Sequence, residues 1–395
     1  MPQHTARGSS AGHPRGPRPI EAVATSVAAF IGRADRGPVG SAVPVDGWGA
    51  FEREFGGLTA RVSLAFQVRD FFANGGSRAV VVRVDGTGGE AVRVGLAALD
   101  AVDVHLLVLP PDAADADATD TNADDTHADA RAAVAAAAAF CERRRAMLLL
   151  DPPTSWTSAE AILAATSAPG GIGALIGTTS ANAALYAPRL RQPDPLRGGA
   201  DGVFAASGAV AGVIARTDAT SGVWTAPAGR DAELRGADGV DVHLRSAHLA
   251  RLAAGGVNAL RDLPPGGPVV WGARTLAGAD TAASEWKYVP VRRMALFLEQ
   301  SIERGLRWAT FEPNDEPLWT SVRRTVETFL FDLFRAGAFR GLSPAEAFFV
   351  RCGRDTMTQD DVDAGRLVVV VGFAPIMPTE FVVVRIGVHA VAPTE

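Results

Sequence analysis

The chain has 395 residues, 47% hydrophobic and 21% charged, enough for roughly two to three domains that need no disulfide staples. A net charge of -6 gives no support to nucleic-acid binding, and the longest apolar runs, such as Ala132–Phe140, are too short to span a bilayer. Two cysteines, Cys141 and Cys352, read as reduced thiols of a cytosolic protein, and the Gly-, Pro- and Arg-rich start lacks the apolar core of a secretory signal.

Residues 1–19 read as a mobile arm. Val27–Ile31 is a short buried strand. Trp48–Phe55 is a helix stopped by Gly56-Gly57. Ser63–Phe72 carries Leu64, Val68, Phe71 and Phe72 at helical spacing and stops at Asn74-Gly75. Ala79–Val84 and Val104–Leu109 are further buried strands. Residues 112–130 are acidic and of low complexity, and read as a solvated loop. An Ala-rich helix follows at Arg131–Arg145, then a strand at Ala146–Leu150, a helix at Ser158–Ser167 and a strand at Ala174–Gly177. This alternation predicts an α/β layer with a largely parallel sheet.

Residues 180–254 are richer in turns, with a short helix at Ala209–Ala215 and a strand at Val240–Leu244. The stretch Gly255–Trp319 carries the densest structural signal. A Pro/Gly turn at 264–267 leads into a strand at Pro268–Trp271. Val291, Met294, Ala295, Leu298 and Ile302 then recur at helical spacing up to Gly305. Trp308–Phe311 is strand-like. Asn314 or Asp315 caps a second helix with Pro317 in its first turn. Leu318, Val322, Val326, Phe329, Leu330, Leu333 and Phe334 form one face of that helix. Phe348–Arg351 is a strand, Thr358–Asp361 a capped turn, and Arg366–Ala374 a strand. Glu380–Val391 is a Val/Ile-rich strand with no obvious sequential partner.

No motif carries catalysis. Gly171-Ile172-Gly173 follows a helix and precedes a predicted strand, the wrong context for a phosphate loop. Gly86-Thr87-Gly88-Gly89 has neither a Walker lysine nor a full dinucleotide fingerprint, and reads as a turn. Ser207-Gly208 lacks the preceding glycine of a nucleophile elbow. Ser180 sits in a faint serine-protease echo, but His105 and His127 fall in a strand and in the acidic stretch. His243 and His248 lack further zinc ligands nearby. Arg292-Arg293 reads as a solvated helix face or a salt bridge between subunits. No catalytic, cofactor or metal residues are assigned. An unpaired apolar strand is an aggregation liability unless another sheet takes it, and donation in one direction builds a filament.

Four runs resemble the tail sheath proteins of contractile phage tails and related injection systems: Gly256–Pro264, Gly267–Leu276, Tyr288–Trp319 and Phe348–Pro375. The resemblance extends from about Pro19 to Gly387, although the usual N-terminal strand motif is missing. It implies an α/β fold with an α+β C-terminal part, a subtilisin-like middle region and terminal strand arms exchanged between subunits. The implied divisions are an arm at 1–19, an α/β region at 20–254, a C-terminal core at 255–378 and a strand arm at 379–395. It implies a non-enzymatic subunit without cofactor, assembled in the cytoplasm as hexameric rings stacked helically around an inner tube protein. Baseplate and terminal cap proteins are the other implied partners, with no nucleic acid and no insertion into a membrane. Contraction would drive the tube into a target, as part of a phage tail or a related particle. Phe381, Val383, Arg385 and Gly387 match the family's exchanged strand. The acidic turn Asp360, Asp361 and Asp363 is the candidate inner-tube contact. A baseplate or cap protein of the same fold, or an α/β hydrolase, are the alternatives.

Overall fold

The computed structural model describes residues 18–60, 62–111, 123–377 and 382–392. They divide into two compact units. An α/β unit holds Val23–Phe297 together with the segment that starts at Pro375. A helix–sheet unit holds Leu298–Ala374 with the described residues before 23 and after 381.

In chain order, the α/β unit contains β1 (Ala28–Gly32), β2 (Ala42–Val45), α1 (Trp48–Phe55), α2 (Leu64–Ala73), β3 (Ala79–Arg83), α3 (Gly88–Ala98) and β4 (Leu106–Val108). Next come α4 (Ala123–Arg144), β5 (Met147–Leu150), α5 (Ala159–Thr166), α6 (Gly171–Ile176), β6 (Ala183–Ala187), β7 (Leu190–Asp194) and β8 (Ala200–Phe204). They are followed by α7 (Ser207–Ser221), β9 (Gly239–Val240), α8 (Ser246–Ala254), β10 (Val257–Asp262) and β11 (Pro268–Val270). The unit boundary falls inside α9 (Val289–Gly305).

An eight-stranded sheet in the order β11-β10-β6-β5-β4-β1-β3-β2 forms the centre of this unit. Its inner pairs are parallel, and only the outermost strands β2 and β11 pair antiparallel. Continuous apolar runs suit such strands because helices cover both faces. Alternate residues serve the two sides. Phe30, Val81, Leu106 and Leu149 join one core with α1, α2 and α7; Ile31, Val82, Leu107 and Leu148 join the other with α4 and α5. A small sheet in the order β8-β7-β9 completes the unit.

The helix–sheet unit contains the end of α9, α10 (Glu316–Arg335), α11 (Pro344–Ala347), β12 (Phe348–Arg351), α12 (Gln359–Asp363), β13 (Arg366–Phe373) and β14 (Val382–His389). Asp315 is the N-cap of α10, accepting from the Leu318 amide, and Pro317 lies in the first turn. The apolar stripe of α10 is buried from Leu318 to Leu333 as its spacing predicts, while Phe334 at its end is only half-buried. Ile20 is also buried here, so close to Gly305 that any side chain there would overlap it.

Three local expectations need correction. The acidic stretch 112–130 is helical from Ala123 onward, because alanine favours the helix and Asp129 finds a partner; residues 112–122 lie outside the described residues. Ala174–Gly177 is no strand but the end of α6, where Ile172 and Ile176 lie one helical turn apart and both are buried. Trp308–Phe311 belongs to a 3-10 turn, Arg307–Phe311, which follows α9 after Leu306.

Candidate assembly surface

The strand expected to lack a partner has one. β14 pairs antiparallel with β13 over eight residue pairs, from Arg366 opposite His389 to Phe373 opposite Val382. The sequence suggested otherwise because Pro375 and Pro378 break the connection, which hides a wide hairpin. The sheet order is β12-β13-β14, so β14 is an edge strand among the described residues. Val382, Val384 and Ile386 are buried against the unit's core. The side chains between them face outward. Val383, Arg385 and Gly387, which match the exchanged strand, therefore share one exposed face, as a period of two requires. Phe381 lies outside the described residues.

The outer face continues across the sheet. Val383 stands opposite Gly372, and Gly372 stands opposite Phe349 on β12. A methyl group at Gly372 would collide with the Phe349 ring, so the glycine lets that ring lie across the strand. The Arg351 guanidinium sits 5.0 Å from the ring's centre.

Beyond β14 the chain stays pinned. The Ala390 amide donates to the Gly365 carbonyl at 2.7 Å. The Val391 amide donates to the Glu312 carbonyl at 3.0 Å, and the Asn314 amide donates to the Val391 carbonyl at 2.9 Å. Asn314 is almost fully buried, and its side chain is fully used. Its Nδ2 donates to the carbonyls of Val362 and Arg366, while its Oδ1 accepts from Trp319 Nε1 at 2.8 Å. Sequence reasoning offered Asn314 only as a possible helix cap. Its real role depends on partners 48 and 52 residues away.

The acidic turn is the short helix α12. Thr358 and Asp361 form a capping box, and Arg366 pairs with Asp361 at 2.8 Å. Hydrogen bonds from the Thr358 amide and hydroxyl hold the Asp361 carboxyl down at about 2. Asp363 accepts from Gln359, and Asp360 is exposed. Asp361 is thus committed within the chain.

The polar centres of the α/β unit are internal fastenings. Asp151, at the end of β5, accepts from the amides of Ala206 and Ser207 and from the Ser207 hydroxyl, and so caps α7 from outside. Gln67 completes the cluster by accepting from Ser207 and Gly208 and donating to the Ala205 carbonyl. Burial pushes the Asp151 carboxyl up against these hydrogen bonds. This is a serine–carboxylate contact with no histidine in it. The Gly86–Gly89 run does follow a strand and open a helix, α3, contrary to its reading as a plain turn. The anion at that helix end is the chain's own: both Asp129 oxygens lie 3.0 Å from the Gly89 amide.

Arg293 is not a solvated or inter-subunit group. It forms a bidentate pair with Asp218 at 2.8 and 2.6 Å and donates to the Thr25 carbonyl, with both charged side chains about 5% exposed or less. Arg292 donates to Asn182 and stacks on Trp286. Both cysteines are free and buried, and burial pushes the Cys352 thiol up to about 12. His243 and His248 join no group of His, Cys, Asp and Glu able to hold a metal among the described residues. No helix among those residues is long and apolar enough to cross a membrane.

Comparison with known proteins places these features in context. The phage tail sheath protein central domain matches residues 85–276, and the phage tail sheath C-terminal domain matches residues 281–389. The tail sheath protein of Vibrio phage KVP40 is 30% identical over 128 residues, which is 32% of this chain and 19% of that protein. The chain therefore spans only a small part of that relative's length. A chain of the anti-feeding prophage helical sheath in its contracted state is 27% identical, with a TM-score of 0.73 over 97% of this chain and 99% of its own. A chain of the anti-feeding prophage baseplate, 6-fold symmetrised, is 26% identical with a TM-score of 0.73, over 97% and 98%.

Proposed function

This chain belongs to the phage tail sheath protein family, and we propose that it polymerises helically around an inner tube and contracts to drive that tube into a target. The observation that carries this reading is β14. It is eight residues long, Val- and Ile-rich, without proline, and lies at the edge of an open sheet. Such an edge is a template for pairing with another chain. In the free subunit β14 pairs with its own β13. In the sheath the same strand, with Val383, Arg385 and Gly387 outward and Phe381 just before it, pairs with a neighbour instead. Each subunit gives in one direction and receives from the other, which builds stacked rings into a helix.

The stroke needs no nucleotide. The extended lattice is a kinetically trapped arrangement, and contraction releases it into better packing while exchanged strands keep the subunits joined. The two units turn as bodies because their polar fastenings are internal. The similarity to a baseplate chain supports assembly against a baseplate, and a terminal cap closes the far end. The tube contact falls on the acidic turn through Asp360 and Asp363, while Asp361 holds that turn in shape.

The test is electron microscopy of the chain expressed with its tube partner. Long striated tubes are the expected result. Single rings would favour a baseplate or cap protein of the same fold, and discrete monomers would overturn assembly. Charge reversal at Asp360 and Asp363 is expected to prevent growth on the tube while leaving the monomer folded.

A further inference from the structure

We infer that Glu312, Asn314 and Gly365 form a latch that holds β14 on its own chain and sets when the strand becomes available to a neighbour. This inference rests on the strand-exchange reading above. A strand that is to be exchanged must first leave its own sheet. Pairing with β13 alone would let β14 peel from its C-terminal end, as edge strands fray. The latch grips the chain at that end. Residues 390 and 391, just beyond β14, make three backbone hydrogen bonds to points outside the β13–β14 pair or at its margin: Gly365, Glu312 and Asn314.

The grip is built for close approach. Gly365 has φ +67, and a side chain there would come within 2.3 Å of the Ala390 carbonyl oxygen. Only glycine meets both conditions. Asn314 supplies the rigidity. It is 1% exposed, and its amide side chain ties it to Val362, Arg366 and Trp319. The receiving backbone is therefore fixed before residue 391 docks. Val391 itself is 46% exposed, so little apolar burial holds it in place. Hydrogen bonds carry the latch, and these form and break as discrete contacts. A contact from a neighbour onto the 312–314 segment would release β14 without disturbing the core beneath it.

The test uses the full-length chain and two variants. Val391→Pro removes the amide that donates to Glu312 and deletes no buried side chain. Asn314→Ala removes the anchor. Hydrogen exchange of the β14 amides is read beside capture of a fluorescent synthetic peptide spanning residues 380–395. In Val391→Pro, losing one net hydrogen bond predicts up to about tenfold faster β14 exchange and up to about tenfold tighter peptide capture than in the parent chain. Asn314→Ala, which loses three side-chain bonds, is expected to speed β14 exchange at least as much. Exchange in α7 and β5 should be unchanged. If β14 exchange and peptide capture both match the parent in Val391→Pro, the latch is overturned. Microscopy with the tube partner separates the two claims. Variants that capture peptide yet never form sheaths with the tube leave the latch standing and count against the sheath reading. Variants that build sheaths with unchanged β14 exchange refute the latch alone.

Discussion

The two units manage their sheet edges in opposite ways. In the α/β unit, β2 is only four residues long and carries Pro44, which cannot donate to a further strand. At the other edge, β11 is covered by the segment 229–234: Gly229 donates to Val270, Val270 donates to Ala232, and Leu234 donates to Pro268. Both faces of that sheet lie under helices. In the helix–sheet unit one sheet face stays partly exposed, and five of the eight residues of its edge strand are Val or Ile. The first unit is closed and the second is open. The proposed strand exchange assigns the closed unit to the body of the polymer and the open one to its joint.

The largest expected effect tests the closed unit. Removing Arg293 by Arg293→Ala leaves the buried Asp218 carboxylate without its charged partner and with the Thr25 hydroxyl as donor, at a cost of about 3–5 kcal/mol in denaturant unfolding. Replacing both groups with Arg293→Met and Asp218→Leu should recover most of that loss. A loss below about 1 kcal/mol for the single variant would mean that this fastening does not hold the body together.

A smaller effect tests the open unit. Ile386→Ala should cost about 2–3 kcal/mol and speed hydrogen exchange in β12 to β14 while sparing the α/β sheet. Equal acceleration in both units would erase the distinction between them. Smaller again is Thr358→Ala, which removes the capping box at about 1 kcal/mol and should lower the melting temperature by a few degrees. Val383→Thr, on the outer face, should change monomer stability by less than about 0.5 kcal/mol while weakening assembly, as read by sedimentation with the tube.

Acid acts with opposite sign on different carboxylates. Asp361 is held at about 2, below its ordinary 3.8. It therefore contributes stability above pH 4 that is lost as pH falls toward 2. Asp70 and Asp151 are raised by burial, so their protonation contributes stability that is full below the ordinary carboxylate value and lost as pH rises through the raised one. Lowering pH from 7 toward 4 should strengthen the contributions of Asp70 and Asp151, and lowering it further should loosen the acidic turn. Calorimetry in Asp361→Asn and Asp151→Asn backgrounds checks each direction.

Much of the fold was legible because local rules sufficed. Trp48–Phe55 stops at its glycines as expected, α10 carries its cap and proline where spacing puts them, and the capping box at Thr358 is visible in four letters. What escaped depended on distant partners. Asp129 looked like one more acid in a low-complexity run until Gly89 came within reach. Arg293 looked solvated until Asp218 and Thr25 closed over it. Asn314 looked like a cap, and its four partners lie elsewhere in the sequence. The outward face of β14 was readable from its period of two. Its pairing with β13 was not, because a two-proline connection resembles a linker more than a hairpin. The family resemblance rested on the order of several runs, and matches to the central and C-terminal sheath domains bear it out.

The central claim is that β14 pairs within the free subunit and with a neighbour in the assembly. Val370 stands directly opposite Arg385 in the β13–β14 pair. Two populations, one with Val370→Cys and one with Arg385→Cys, are mixed, assembled with the tube partner and oxidised. Disulfide-linked pairs of subunits in the assembled sheath are the predicted result, with none among free subunits. Intact sheaths that yield no linked pairs, while the double variant Val370→Cys with Arg385→Cys closes its bond within one chain, would contradict the account.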